Sequence, residues 1–164
     1  TKVSYWNFPD TEVTETGTNA SWAQQDPTSD VFYVGANGAT NDNNLSFYAW
    51  AEVPGFSRFG AYIGNQTTNG PHIWCGFKPA YVMLKVVTGQ NRDWHVYDSV
   101  RNSTNPVGLN LRPSNTTEDT NEPGLDFTST GFKIRQNYFF SNGDGETIIY
   151  AAFAESPFQT ANAK

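Results

Sequence analysis

The residues that could carry out chemistry are few: two histidines, one cysteine and 16 acidic side chains in 164 residues. Hydrolysis of a sugar polymer needs two carboxyl groups on either side of the scissile bond, about 5 to 10 Å apart. Glu52 and Glu155 are the most suggestive pair, because each lies at the end of a similar aromatic–alanine segment and shortly before a proline. A strand end before proline is more typical of a surface residue. We therefore expect no catalytic residues and no enzymatic activity.

A second acidic pair, Asp93 and Asp98, flanks one predicted strand. Side chains five residues apart on a strand point to opposite faces, so they do not form a catalytic pair. Asp98 is close enough in sequence to Arg101 to predict a structural ion pair. Nucleophilic catalysis is equally unsupported, because Ser99 lacks an elbow motif and Cys75 lies among bulky apolar residues.

Histidine does not predict a metal site. Neither His72 nor His95 has the spacing to Cys75 or to an acid that a zinc site requires. His95 lies between Trp94 and Val96, which is typical of a packed or hydrogen-bonded strand residue. We expect no resident metal bound through these side chains.

Calcium is the one cofactor that the sequence leaves open. Oxygen ligands are offered by Asn41–Asn44, Thr117–Asp119 and Asp144–Glu146. A calcium site gathers about 6 to 8 oxygens, which here would have to come from different loops. Asn, Asp and Gly are also ordinary turn residues. We therefore expect no cofactor, with calcium as the alternative.

Three aromatic residues are candidates for ligand binding. Trp22, Tyr138 and Phe139 lie in turn-rich segments outside the predicted strands. Their rings could stack on the sugars of a bacterial surface polysaccharide. The alternative is that they pack under loops or at a subunit contact.

The elements that must position these residues are strands. Aromatic residues make up 15% of the chain, and the apolar segments are short and separated by Gly, Asn and Pro. This pattern predicts an all-β fold, an antiparallel β-sandwich of the jelly-roll type. The predicted strands are Val3–Phe8, Val31–Val34, Leu45–Val53, Arg58–Ile63, His72–Cys75, Ala80–Val87, Asp93–Ser99, Val107–Leu111, Gly131–Arg135 and Thr147–Glu155.

Two of these regions carry more specific expectations. Ala80–Val87 is almost continuously apolar, which predicts a central strand covered on both faces. Asn102–Asn121 is polar and contains two prolines, which predicts a surface excursion around one short strand. The net charge of −6 argues against nucleic acid as a partner. No apolar run approaches the roughly 20 residues needed to cross a bilayer, so we expect no membrane insertion.

A weak internal repeat bears on domain organisation. Leu45–Pro54 aligns with Ile148–Pro157, and the alignment places Trp50 opposite Phe153. The alternation predicts that both rings are buried at equivalent places. The two copies are either equivalent strands of one sandwich spanning 1–164, or residues 1–57 end one repeat unit and 58–164 form a second.

Five segments occur in a characteristic order: Tyr48–Asn65, Gly70–Lys85, Asp93–Arg101, Gly131–Arg135 and Tyr150–Lys164. Together they resemble domains of bacteriophage tail-fibre and other virion structural proteins. The resemblance runs from about residue 45 to the C-terminus.

The resemblance implies a concanavalin- or laminin-G-like sandwich on the surface of a phage particle, in the tail or an appendage, with no known catalytic residues. Its partners would be other virion proteins and copies of itself, in a homo-oligomer that the resemblance implies is a trimer, since fibres are commonly trimeric. The implied function is host attachment through a surface polysaccharide or another receptor. A purely structural or decorating module is the alternative, and a polysaccharide-degrading enzyme is the third hypothesis.

Overall fold

The computed structural model describes residues 2–3, 13–14, 28–38, 48–114, 116 and 120–155. The chain divides into two compact units. The first comprises residues 1–4 and 12–50, and the second comprises 5–11 and 51–164. The predicted ligand-binding residue Trp22 and the predicted calcium loops Asn41–Asn44 and Thr117–Asp119 lie outside the described residues.

The described part of the first unit contains one short antiparallel pair. Strand β1 (Lys2–Val3) pairs with β2 (Val13–Thr14), with Lys2 opposite Thr14. At the C-terminal end of the first unit, Tyr48 is 81% exposed and Trp50 is 63% exposed, and their rings stack with centroids 6.3 Å apart.

The second unit is built on one eight-stranded antiparallel sheet. Its strand order is β3-β10-β5-β6-β7-β8-β9-β4, and each pair of neighbours is antiparallel. The prediction of an antiparallel all-β fold is confirmed for the described residues. The strands are β3 (Ser57–Ile63), β4 (His72–Trp74), β5 (Pro79–Val86), β6 (His95–Asp98), β7 (Val107–Leu111), β8 (Thr120–Thr128), β9 (Gly131–Ile134) and β10 (Thr147–Ala154), with one short helix, α1 (Phe139–Asn142).

The sheet curves until its two ends face each other, so that it is nearly closed. Phe132 on β9 makes edge contacts with Tyr150 on β10 and Tyr62 on β3, with ring centroids 5.4 and 6.4 Å apart. At the two edges, the guanidinium of Arg58 on β3 lies over the ring of Trp74 on β4. One core therefore lies inside a single folded sheet, since the side chains of all eight strands alternate between an inner and an outer face.

The inner face is apolar because the inward residues of the strands are large aliphatic and aromatic side chains. Phe132 and Leu125 are fully buried there. On β5, Leu84, Lys85 and Val86 are all 0% exposed, so both faces of this strand are covered, as its continuous apolar sequence predicted.

Because neighbouring strands are antiparallel, their connections gather at two ends of the sheet. We call one the α1 end: it holds α1 and the connections 64–71, 87–94 and 135–146, and β7 leads into it at residues 112–114. The opposite end holds residues 51–56 and the connections 75–78, 99–106 and 129–130.

The predicted equivalence of the two repeat copies is wrong in its described part. Ile148–Ala154 lies in β10, which is paired on both sides by β3 and β5. Residues 48–52 form no strand, and Trp50 is exposed, whereas Phe153 is half-buried against three other rings. The reason is that a similar aromatic–alanine pattern specifies the side chains of a strand but not its hydrogen-bonding neighbours.

Other strand predictions fail locally. Val31–Val34 forms no strand beyond a single bridge residue. Of the predicted strand Val3–Phe8, Val3 lies in β1 and the other residues lie outside the described part of the chain. Strand β8 was not predicted, because its segment is polar and contains Pro123. The pairing of β7 with β8 is irregular at this proline. Val107 pairs with Leu125 and Leu109 pairs with Asn121, so two steps along β7 correspond to four along β8, and β8 is bulged around Pro123.

Candidate functional site

The two glutamates considered for catalysis, Glu52 and Glu155, have different surroundings. Glu52 is exposed and forms an ion pair with Arg58 at 2.7 Å. Glu155 is exposed just after β10.

Asp98 forms the structural ion pair that its sequence position predicted. Its partial burial would raise the pKa of its carboxyl group, but hydrogen bonds from Arg101 and Val100 and the charge of Arg101 lower the pKa below its usual value. The side chain of Arg101 also pairs with it directly. Asp98 is therefore a turn-stabilising residue at the opposite end, and Asp93 lies before β6 at the α1 end.

Among the residues that the structure describes, no three His, Cys, Asp or Glu side chains cluster as a metal site would require. The Nε2 atom of His72 lies 3.1 Å from the hydroxyl of Thr128. Cys75 is buried, and this burial raises the pKa of its thiol to about 11. Cys75 is therefore protonated at neutral pH and unsuited to nucleophilic attack.

His95 is a packed, hydrogen-bonded strand residue, as predicted. It is 2% exposed, its Nδ1 lies 3.0 Å from Oδ1 of Asn110, and its ring packs against Tyr97 and Phe140. Burial lowers the pKa of His95 to about 4. Since Asn110 Oδ1 accepts from Nδ1, Nε2 carries the lone pair, and it has no hydrogen-bond partner among the described residues. His95 is neutral at pH 7.

A buried polar network holds α1 against the sheet. The side chain of Asn142 accepts a hydrogen bond from the backbone N–H of Asn65 and donates to the carbonyl oxygens of Thr67 and Gln136, at 2.8 to 2.9 Å. The hydroxyl of Tyr62 donates to the carbonyl of Ser141 at 2.6 Å. Asn142 is fully buried, so these bonds fix the turn that precedes and includes α1.

This turn presents two of the predicted ligand-binding residues. Tyr138 is 47% exposed and Phe139 is 41% exposed. The ring of Phe139 packs against Phe140 with centroids 4.8 Å apart. The expectation of exposure is met, and the structure brings Tyr138 and Phe139 together at the α1 end.

Two arginines from other connections meet these rings. The guanidinium carbon of Arg92 lies 4.2 Å from the ring centroid of Phe139, and that of Arg112 lies 5.7 Å from the centroid of Phe140. Both distances are within the range of a cation–π interaction. We call this cluster, which comprises Arg92, Arg112, Tyr138, Phe139 and Phe140, the basic–aromatic patch.

Arg92 is held in place by its own connection. Its backbone carbonyl accepts a hydrogen bond from Nζ of the buried Lys85 at 2.5 Å, and its Nη1 donates to Oε1 of Gln90 at 3.1 Å. Two residues later the backbone N–H of Trp94 donates to Ser114, whose hydroxyl donates to Asp93. Among the described residues, Arg92 forms no ion pair with a carboxylate.

A second exposed aromatic lies at the opposite end. Trp74 is 59% exposed, and its ring rests beside Gly76, where an added Cβ would come within 3.1 Å of it. The guanidinium of Arg58 lies 5.7 Å from the ring centroid of Trp74. Because Glu52 neutralises Arg58, this group carries no net charge. We call Trp74, Arg58 and Glu52 the tryptophan group.

Sequence reasoning missed Arg92, Arg112 and Trp74. The first two lie in polar connections far from residues 138–140, so no local pattern links them to the aromatic turn. Trp74 lies within a predicted strand, and its exposure follows only from its position on an edge strand.

The architecture defines the class: an all-β protein with one nearly closed antiparallel sheet and aromatic groups exposed at both ends. Residues 2–157 match the model of a domain of unknown function, DUF7483, and the chain belongs to that family. No curated protein and no solved structure matches the chain. In the described residues, no helix has the length and apolarity needed to span a membrane.

Proposed function

We propose that this domain is a non-enzymatic binding module of a bacteriophage appendage, a tail fibre or tail tip, and that it contributes to host-surface recognition through a receptor or glycan. The observation that carries the proposal is the basic–aromatic patch. Phe139 is exposed, is held by a buried network and carries the guanidinium of Arg92 on its ring.

The chemistry of the patch suits a saccharide. A flat aromatic ring can cover the apolar face of a sugar, and a guanidinium supplies several hydrogen-bond donors for hydroxyl or carboxylate oxygens. Tyr138 adds a second ring with a hydroxyl group beside Phe139. Since the patch lies on connections supported by a rigid sheet, little conformational entropy is lost on binding.

Our proposal includes two finer assignments. We assign the folded sheet to the concanavalin- or laminin-G-like, jelly-roll sandwich class, supported by the edge contacts that Phe132 on β9 makes with Tyr62 on β3 and Tyr150 on β10 across the interior. We also assign a homo-oligomeric state, a trimer, on the surface of the virion with other virion proteins as neighbours. Repetition of a weak site across an oligomer would raise its avidity.

A purely structural or decorating module is the second candidate, and one observation favours it. Tyr48 and Trp50 form a stacked pair that is largely exposed in the single chain. Aromatic residues are enriched at protein–protein interfaces, so this pair suits a contact with another virion component.

The test is retention of the pure domain on an immobilised panel of polysaccharides extracted from bacterial surfaces. We expect at least one to retain the wild-type domain, and the double substitution Tyr138→Ala with Phe139→Ala to abolish retention. Trp74→Ala is the matched control, because it removes an exposed aromatic from the opposite end. Absence of retention on every polysaccharide would favour the structural module.

The same panel tests the enzymatic alternative. After incubation with the domain, the chain length of the retained polysaccharide is measured by size-exclusion chromatography. We expect an unchanged length. A shortened polymer, restored to full length by replacing Glu52 or Glu155 with glutamine, would overturn the assignment as a non-enzymatic module.

A further inference from the structure

We infer that the basic–aromatic patch selects an acidic sugar, with the carboxylate of the sugar on Arg92 and its apolar face on Phe139. This inference rests on the proposed function and deepens it by naming the ligand class. It goes beyond glycan binding in general, because it predicts that a neutral sugar of the same shape binds more weakly.

Arg92 has unused donor capacity. Its Nη1 donates to Gln90 and to the carbonyl oxygen of Asn91, and its Nε is buried with no hydrogen-bond partner among the described residues. None of the described residues accepts a hydrogen bond from its Nη2. Nη2 is therefore the donor left for an incoming acceptor, since the buried Nε is out of reach of a ligand, and the guanidinium carbon lies 4.2 Å from the ring centroid of Phe139.

Arg92 is the cation of the patch that a ligand carboxylate would meet. Its guanidinium lies on Phe139, and it forms no ion pair with a carboxylate among the described residues. The nearest acid in sequence, Asp93, accepts a hydrogen bond from Ser114.

The apolar half of the patch distinguishes a sugar from a simple anion. Free phosphate or acetate would need the guanidinium alone, and would leave Tyr138 and Phe139 exposed to water. A sugar acid places a planar carboxylate next to a ring whose C–H groups form an apolar face. An ionised carboxylate is also a stronger hydrogen-bond acceptor for a guanidinium than a neutral hydroxyl is.

The experiment compares polygalacturonate oligomers with their methyl esters, which keep the sugar ring and lose the charge. Binding is measured by titration calorimetry at low and high salt. We expect the acid form to bind wild-type protein about tenfold more tightly than the ester, since a hydrogen bond to an ionised acceptor is stronger than one to a neutral acceptor. Arg92→Gln should remove this preference and leave binding of the ester unchanged.

Arg135→Gln is the matched control. Arg135 also lies at the α1 end, and its replacement by glutamine causes the same change in net charge. It pairs with Asp126 and lies on no ring of the patch. We expect its affinities to stay within about twofold of wild type, because a change in net charge alone is screened by salt. An equal loss in both arginine variants would overturn the assignment to Arg92.

The outcomes separate the inference from the proposed function. If neutral polysaccharides are retained through Phe139 and the acid form has no advantage, the acidic-sugar inference fails and glycan binding stands. If sodium acetate at the same carboxylate concentration competes as well as the oligomer, the patch binds anions without reading the sugar, and the inference fails. If no saccharide binds at all, both fail.

Discussion

The two ends of the sheet each expose an aromatic side chain, but they are stabilised by different interactions. At the α1 end, a buried network around Asn142 closes the fold and projects an aromatic turn towards solvent, where two guanidinium groups lie on its rings. At the opposite end, short turns are stabilised by surface ion pairs such as Arg58–Glu52, which leave little net charge beside Trp74. Phe139 is thus exposed beside Arg92, which pairs with no carboxylate among the described residues, whereas Trp74 is exposed beside an arginine that Glu52 neutralises.

The largest expected effect comes from the buried network. Asn142→Leu should lower the free energy of unfolding by about 4 kcal/mol, because buried partners such as the carbonyl of Gln136 lose their hydrogen bonds. Asn102→Leu is the matched change at the opposite end, where Asn102 accepts from Gly108 and Leu109, and we expect about 1 to 2 kcal/mol. Urea unfolding measures both, and equal losses would contradict the contrast between the ends.

The second effect depends on pH. The pKa of His95 is lowered to about 4 in the folded protein from an ordinary 6.5, so the unfolded chain binds a proton between these values and the folded chain does not. The stability that His95 contributes is complete above pH 6.5 and is lost as the pH falls towards 4. The linked loss is about 3 kcal/mol.

His95→Gln isolates this contribution. Urea unfolding at pH 7 and pH 4 should show a smaller fall in stability for the variant than for wild type, by about 3 kcal/mol. Asp98, at the opposite end, titrates below its ordinary value of 3.8, so Asp98→Asn should leave the difference between these two pH values nearly unchanged. The same pH dependence in His95→Gln and wild type would show that the ring of His95 is not the group that titrates.

The third effect concerns binding. Tyr138→Ala alone should weaken retention on the polysaccharide that binds wild type by about 1 kcal/mol, close to fivefold, because one of two exposed rings is lost. Trp74→Ala should leave retention unchanged. If Trp74→Ala has the larger effect, the binding surface lies at the opposite end and the comparison reverses.

The smallest effect comes from the tryptophan group. Glu52→Gln removes the ion pair with Arg58, whose side chain is 40% exposed while that of Glu52 is 45% exposed. We expect a loss of less than about 1 kcal/mol in the free energy of unfolding, since exposed ion pairs contribute little. Thermal unfolding measures it, with Asp126→Asn as a reference from a second ion pair, in which the Asp126 side chain is 22% exposed. A loss well above that value would mean that Glu52 also maintains the edge of the sheet.

Much of the strand content was predictable, because apolar alternation and turn residues are local signals. Val107–Leu111 agrees with the prediction, and the predicted bounds for β5 and β10 are within one residue of those in the structure. Strand β8 was missed because its first residues are polar and include Pro123, and only its pairing with β7 and β9 defines it as a strand. Of the candidate site, the exposure of Tyr138 and Phe139 followed from their position in a turn-rich segment.

The sequence by itself determined the alternation that makes this protein a sheet with an apolar inner face, the packed state of His95 and the pairing of Asp98 with Arg101. Only the tertiary structure decided that Arg92 lies on Phe139, that Arg112 lies on Phe140 and that Trp50 is exposed while Phe153 is not. The physical reason is the range of the interactions. Side-chain periodicity and turn preference act over a few residues, whereas a contact between distant connections exists only after the sheet has curved and brought its loops to one end.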